Sequence, residues 1–164
     1  MVGGRSRVIA LTIFALILAG TLLTLGWQAG RSSSEHGSGR RVIRAGPATG
    51  GLPYSPGILV GNTLYLAGTI GEDEANNIVP GGIEPETRRA LANVGEILKA
   101  AGMDFEDVTS VTVYITNFDD FAKFNEIYQQ VFLTDRPARA TVQVAALIGG
   151  AKVELQMVAV KRDP

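Results

Sequence analysis

Arg139 and Glu154 are the two side chains whose types and spacing could set a guanidinium and a carboxylate on one surface of this protein. Each sits in an alternating stretch, Ala138-Arg139-Ala140-Thr141-Val142-Gln143-Val144 and Lys152-Val153-Glu154-Leu155-Gln156-Met157. Side chains alternate across a strand. With Ala140, Val142 and Val144 turned toward a core, Arg139, Thr141 and Gln143 face the other way. With Val153, Leu155 and Met157 inward, Lys152, Glu154 and Gln156 project from that same opposite surface. Two neighbouring C-terminal strands are thus predicted to set a guanidinium beside a carboxylate. A planar guanidinium holds an organic carboxylate by two parallel hydrogen bonds, and a positioned Glu orients or deprotonates water. From spacing alone the default is a plain cross-strand ion pair, worth under about 1 kcal/mol when exposed.

The remaining inventory narrows the chemistry. The sequence has no cysteine and one histidine, His36, which lies in a Gly/Ser stretch. Thiolate nucleophiles, disulfides and thiolate metal sites are excluded, and a His-based metal site or Ser-His-Asp triad is not expected. Catalysis falls to Arg, Glu/Asp, Tyr, hydroxyl, amide or backbone groups, with no metal and no cofactor. The loop Gly71–Gly82 (GEDEANNIVPGG) is rich in carboxylates but lacks the ligand spacing of a calcium loop, and reads as a solvated loop. From Ala45 to Pro164 there are 9 basic and 15 acidic residues, a net of −6. Such a surface is a poor partner for a phosphate backbone, so no nucleic acid is expected. By type alone Tyr54 reads as a turn or core tyrosine and Asn125 as a solvated amide. Gly68, inside an apolar run, marks either a close backbone approach or a bulge.

The elements that must position these groups are legible from period. Thr63–Ile70 (TLYLAGTI) reads as a strand closing a hairpin with Ile58–Val60 across Gly61-Asn62. Pro85 begins a helix whose Ala90, Leu91, Val94, Ile97, Leu98 and Ala101 repeat at 3–4 spacing, and Gly102 stops it. Val111, Val113 and Ile115 alternate as a half-buried strand. Phe121, Phe124, Tyr128, Val131 and Phe132 mark a second helix, with Asn117 or Asp119 as its N-cap. The two C-terminal strands follow, and Val42–Ala45 offers an extra one. The order β-β-α-β-α-β-β predicts an α+β domain: one mixed sheet with two helices on one face. Two helices leave the other sheet face uncovered, and its Thr112 and Tyr114 suit association with copies of the same chain.

Ahead of this domain, Val8–Trp27 is a run of 20 residues without a charge, preceded by Arg5 and Arg7. Such a run spans about 30 Å as a helix, enough to cross a hydrocarbon core. Residues 1–29 are therefore expected to be a membrane anchor or a signal peptide, placing the domain at a membrane or in a secreted or periplasmic setting. Residues 30–41 (GRSSSEHGSGRR) hold no apolar side chain and read as a flexible linker, leaving 42–164 as the domain.

Four segments resemble the Rid (reactive intermediate deaminase) or YjgF family. They are Pro53-Tyr54-Ser55-Pro56-Gly57; Leu66-Ala67-Gly68-Thr69-Ile70; Phe121-Ala122-Lys123-Phe124-Asn125 with Tyr128 and Phe132; and Arg136-Pro137-Ala138-Arg139-Ala140-Thr141-Val142, followed by Lys152-Val153-Glu154-Leu155. The resemblance covers about Val42 to Arg162. It implies a chorismate-mutase-like α+β fold and a homotrimer with sites in the clefts between subunits. It further implies hydrolysis of reactive 2-imino acids to 2-oxo acids and ammonia, with no cofactor and, as the family default, a cytoplasmic setting. By position Arg139 matches the arginine that grips the substrate carboxylate, and Glu154 the acid associated with the attacking water. Tyr54, Gly68, Asn125 and Thr141 match other substrate-binding positions. Ala67 stands where deaminating members often carry Ser, and Thr141 where many have Cys. These departures motivate an alternative, a non-enzymatic module that binds small carboxylates in the same cleft.

Overall fold

The computed structural model of the chain describes residues 39–47, 51 and 53–162. Its strands are β1 (Arg40–Ile43), β2 (Gly57–Val60), β3 (Thr63–Leu66), β4 (Thr69–Ile70), β5 (Val108–Ile115), β6 (Ala138–Gln143) and β7 (Val153–Val160). Its long helices are α1 (Ile83–Ala101) and α2 (Phe121–Val131). The sheet order is β1-β2-β3-β7-β5-β6, with β4 pairing β7 beside β3. Only β5 and β6 run parallel, so the sheet is mixed as expected.

Both helices pack on one face. The buried stripe of α1 (Ala90, Leu91, Val94, Ile97, Leu98) and of α2 (Phe124, Ile127, Tyr128) covers Val111, Val113, Ile115, Val153, Leu155 and Met157. Gly102, at φ 75°, adopts the left-handed conformation that favours glycine, and its N–H donates to Leu98 O and Lys99 O, closing α1. Asn117 caps as predicted, but the turn it opens is 3-10 rather than the first turn of α2. Its Oδ1 accepts from Asp119 N at 3.0 Å and so opens a 3-10 turn, Phe118–Asp120, that leads into α2. Asp119 is not a cap, and Asp120 at the start of α2 makes no side-chain capping bond.

The predicted strand 63–70 is interrupted. Tyr65 pairs with Val158 and Thr69 with Leu155, so four steps on one strand face three on the other. The surplus residue is a bulge at Ala67-Gly68, where Ala67 N–H turns away to Pro56 O at 2.9 Å.

The predicted facing of β6 is overturned. Residues paired across a sheet share a face, and Arg139 pairs with Val111, Thr141 with Val113 and Gln143 with Ile115. Arg139, Thr141 and Gln143 therefore lie on the helix side, while Ala140 and Val142 lie on the open face. Val144 falls beyond the strand and donates its N–H to Ile115 O. Nor are the two C-terminal strands neighbours, because β5 lies between β6 and β7. The apolar alternation of this edge strand marked the face that the helices leave open, not the core.

The end of β7 is fastened by Asp107, whose carboxylate is 6 % exposed. It accepts from Asp104 N at 2.9 Å, Arg162 N at 3.2 Å and Arg162 Nε at 3.0 Å. Burial pushes its pKa up, but the donated hydrogen bonds and the Arg162 charge outweigh that and hold it below the usual carboxylate value. Its stabilisation is thus present above the ordinary carboxylate range and is lost as pH falls through the lowered native value. Asp107→Ala is expected to destabilise the domain by about 2–4 kcal/mol in urea unfolding at neutral pH, with the difference from wild type shrinking in acid.

Among the described residues no helix is long and apolar enough to cross a membrane. The predicted span 8–27 lies outside the described residues.

Candidate active site

Glu154 projects from the open face of β7, opposite Tyr114 on β5 and Ile70 on β4. The bulge makes room for it. A Cβ placed on Gly68 would lie 1.8 Å from Glu154 Oε1 and 2.8 Å from its Cδ, so the carboxyl group rests directly on the glycine backbone. Gly68 is therefore both bulge and close approach. Among the described residues no group donates a hydrogen bond to Glu154, and burial alone raises its pKa. The start of β7 is fixed from behind: the buried Glu86 of α1 accepts Lys152 N–H at 2.7 Å, two residues before Glu154. Burial raises the Glu86 pKa, partly offset by Lys152.

Glu154 opens into a cavity of about 810 Å³ that Tyr54, Ala67, Gly68, Thr69 and Glu72 also line. Tyr54 is 53 % exposed, yet partial burial and the Glu72 and Glu154 charges raise its pKa. Its phenol stays protonated at neutral pH. Thr69 Oγ1 donates to Ala67 O at 3.1 Å, so its hydroxyl is committed to the bulge. Asn93, fully buried on α1, donates from Nδ2 to Ile70 O and Glu72 O, both at 3.0 Å, and ties β4 to the helix.

Arg139 stands apart from this group, on the other face of the sheet. Two interstrand spacings, roughly 10 Å, separate β6 from β7 laterally. Its Nη1 donates to Asn125 Oδ1 of α2 at 2.9 Å. The guanidinium carbon lies 4.7 Å from the Tyr128 ring centroid and 5.8 Å from those of Phe121 and Phe124. Each such contact is worth about 0.5–1 kcal/mol at an exposed site. The aromatic shelf fixes the plane of the guanidinium, and its remaining N–H groups make no hydrogen bond among the described residues. Thr141 lies on the same side, two residues further along β6.

The predicted residues thus fall into two halves. Tyr54 and Gly68 accompany Glu154; Asn125 and Thr141 accompany Arg139. No ion pair joins Arg139 to Glu154, and the expectation of one shared surface within a single chain is overturned. The sequence reading missed Glu72, Asn93 and the aromatic shelf. Asn93 had a signal, for it lies three residues from Ala90 and four from Ile97, on the apolar stripe of α1.

Gly68→Ala is expected to lower turnover at this site at least 100-fold with little loss of fold. The new methyl collides with the end of a side chain, which swings away, and a misplacement of about 1 Å already costs 10²-fold. Circular dichroism and a rate measurement on the same sample separate the two effects.

A mixed-sheet α+β domain with two helices on one face is of the chorismate-mutase-like class of fold. Residues 47–161 match the family model described as Endoribonuclease L-PSP. A human protein named 2-iminobutanoate/2-iminopropanoate deaminase is 47 % identical over 124 residues, covering 74 % of this chain and 90 % of that protein. Its goat counterpart is 45 % identical over the same coverage. The structure of a Rid-family protein from Yersinia pestis, 34 % identical, superposes with a TM-score of 0.71 and covers 75 % of this chain and 100 % of that one. That of E. coli TdcF with bound serine, 34 % identical, gives 0.68, covering 74 % and 99 %. The chain belongs to this family, the Rid or YjgF family.

Proposed function

We propose that this chain is a deaminase that hydrolyses small 2-imino acids to 2-oxo acids and ammonia without a metal ion. The observation that carries the reading is Glu154: a half-buried carboxylate, without a donor or counter-ion among the described residues, held on Gly68 in the wall of a cavity. The deaminase names of relatives 44–47 % identical support it. So does the donor set, which has no cysteine and no histidine in the domain.

The two halves of the site close when copies assemble as a homotrimer, with Arg139 of one copy facing Glu154 of the next. The open sheet face supports this, since Tyr65 (53 % exposed), Val142 (45 %) and Val60 (41 %) are left to water in the single chain. In the closed cleft Arg139 grips the substrate carboxylate with two parallel hydrogen bonds, oriented by Asn125 and the aromatic shelf. Glu154 takes a proton from water as its oxygen adds to C2 of the protonated C=N group. The resulting 2-amino-2-hydroxy acid collapses: Glu154 returns the proton to nitrogen, the C–N bond breaks as ammonia leaves, and the hydroxyl proton passes to the freed Glu154 carboxylate, and on to the departing ammonia, as the C=O bond forms. Tyr54, protonated at neutral pH, donates to the developing oxygen. An enamine substrate enters the same path after protonation at C3. Because imines already hydrolyse in water, general acid–base help of about 10²–10⁴-fold suffices.

The test generates 2-iminopropanoate in place with an amino-acid oxidase and traps it with semicarbazide. The full chain is expected to lower the rate of semicarbazone formation by removing the imine first. An unchanged rate overturns the reading, and tight binding of a small carboxylate without turnover would instead favour a binding module.

A further inference from the structure

The cavity beside Glu154 is lined by a second carboxylate that the proposed reaction leaves without a role. Glu72 lies in the loop that follows β4, half-buried, and its charge together with that of Glu154 acts on the Tyr54 phenol in the same cavity wall. No Lys or Arg occurs among the described residues that line this cavity. The Arg89 guanidinium nearby donates from Nε to the Glu72 backbone O at 2.9 Å and makes no ion pair with the Glu72 carboxylate among the described residues. The Glu72 carboxylate itself has no donor among the described residues, and burial raises its pKa, with Asp73 adding to the effect. A second, independent observation points the same way. Asn93 lines the cavity, is fully buried, and spends both Nδ2 bonds on β4 and the loop, yet its Oδ1 has no hydrogen-bond partner. Buried acceptors of this kind are ordinarily satisfied. The wall is therefore rich in acceptors and poor in cations.

We propose that Glu72 selects the substrate side chain, favouring 2-imino acids that end in a cationic hydrogen-bond donor such as a guanidinium. This rests on the deaminase reading above and assigns each charge of such a substrate a partner. The carboxylate goes to Arg139, the protonated imine and its attacking water to Glu154, and the side-chain cation to Glu72. A guanidinium presents five donors in a planar fork, enough to meet both oxygens of the Glu72 carboxylate. An apolar side chain leaves that carboxylate dehydrated and unpaired, and an acidic one adds repulsion. Sites with buried polar groups reject ligands that leave those groups unpaired.

The test measures kcat/KM of the full chain for imino acids formed by oxidases from L-arginine, L-norleucine and L-glutamate. The arginine-derived imine is expected to exceed the norleucine-derived one at least tenfold, with the glutamate-derived one lowest. In Glu72→Gln the arginine-to-norleucine ratio is expected to fall about tenfold through KM rather than kcat, the mark of lost uniform binding. Glu72→Lys is expected to invert the order in favour of the glutamate-derived imine. A wild-type ratio near one, or one unchanged in Glu72→Gln, overturns the proposal. Calorimetry with the guanidino 2-oxo acid and 2-oxohexanoate reads the same preference without turnover. A Glu72-dependent binding preference with no hydrolysis of any imine would sink the deaminase reading and leave this selectivity standing. Hydrolysis indifferent to Glu72 would do the reverse.

Discussion

Glu154→Gln is expected to lower kcat/KM for 2-iminopropanoate by about 10²–10⁴-fold, the usual worth of a positioned general acid–base group. The amide keeps the shape of the side chain on Gly68 and can still orient water, but it cannot take the proton. Burial holds the Glu154 pKa above the ordinary carboxylate value, with no hydrogen bond or cation to offset it. The wild-type rate should therefore rise with pH through an acid limb lying above the usual carboxylate range, and Glu154→Gln should lose that limb. Stability moves the other way. A carboxyl group with a raised native pKa favours the fold below its unfolded pKa, and that contribution is lost as pH rises through the native value. At neutral pH the ionised group is thus a cost, so Glu154→Gln should melt no lower than wild type. A thermal melt beside the rate measurement then separates lost chemistry from lost structure.

Arg139→Ala is expected to lower kcat/KM by about 10²–10³-fold, because truncating one partner of a desolvated charge pair costs roughly 2–5 kcal/mol. The geometry makes the loss specific to the guanidinium. Asn125 fixes one nitrogen at 2.9 Å and the Tyr128 ring lies 4.7 Å beneath the carbon, so the remaining fork is presented in a set plane. Arg139→Lys keeps the charge but loses both the fork and the stacking, and should recover no more than about a tenth of the activity. Arg139 is exposed on an edge strand in the single chain, so either variant should retain the folded domain. Circular dichroism reads the fold, and saturation kinetics reads the expected loss in both KM and kcat.

Much of the scaffold was legible because burial imposes period. Val153, Leu155 and Met157 alternate against two helices and are buried as predicted, and the helix after Pro85 ends at Gly102 where the left-handed turn demands glycine. The facing of β6 was not legible. A strand's own alternation shows that one face is apolar, but the register with its neighbour decides which face that is. Ala140 and Val142 turn toward the open side because Arg139 and Thr141 pair with the buried Val111 and Val113. Arg139 and Glu154 were singled out by residue type and by resemblance, yet their placement on opposite faces depends on the registers that β6 and β7 each make with β5 between them. Parallel pairing of β5 with β6 leaves no trace in local spacing. Glu72 was hidden for a different reason: one carboxylate in an acidic loop reads as solvated until the fold puts a cavity wall behind it.

The most direct test of a site shared between copies is complementation between two inactive variants. Arg139→Ala and Glu154→Gln chains, differently tagged, are co-expressed, and oligomers carrying both tags are isolated. If each cleft takes Arg139 from one subunit and Glu154 from the next, every trimer that carries both variants restores one of its three clefts, about a third, to wild-type composition. Deaminase activity should return to about that fraction, although each variant alone stays near baseline. Doubly tagged oligomers that remain as inactive as the separate variants would contradict a cleft built from two subunits.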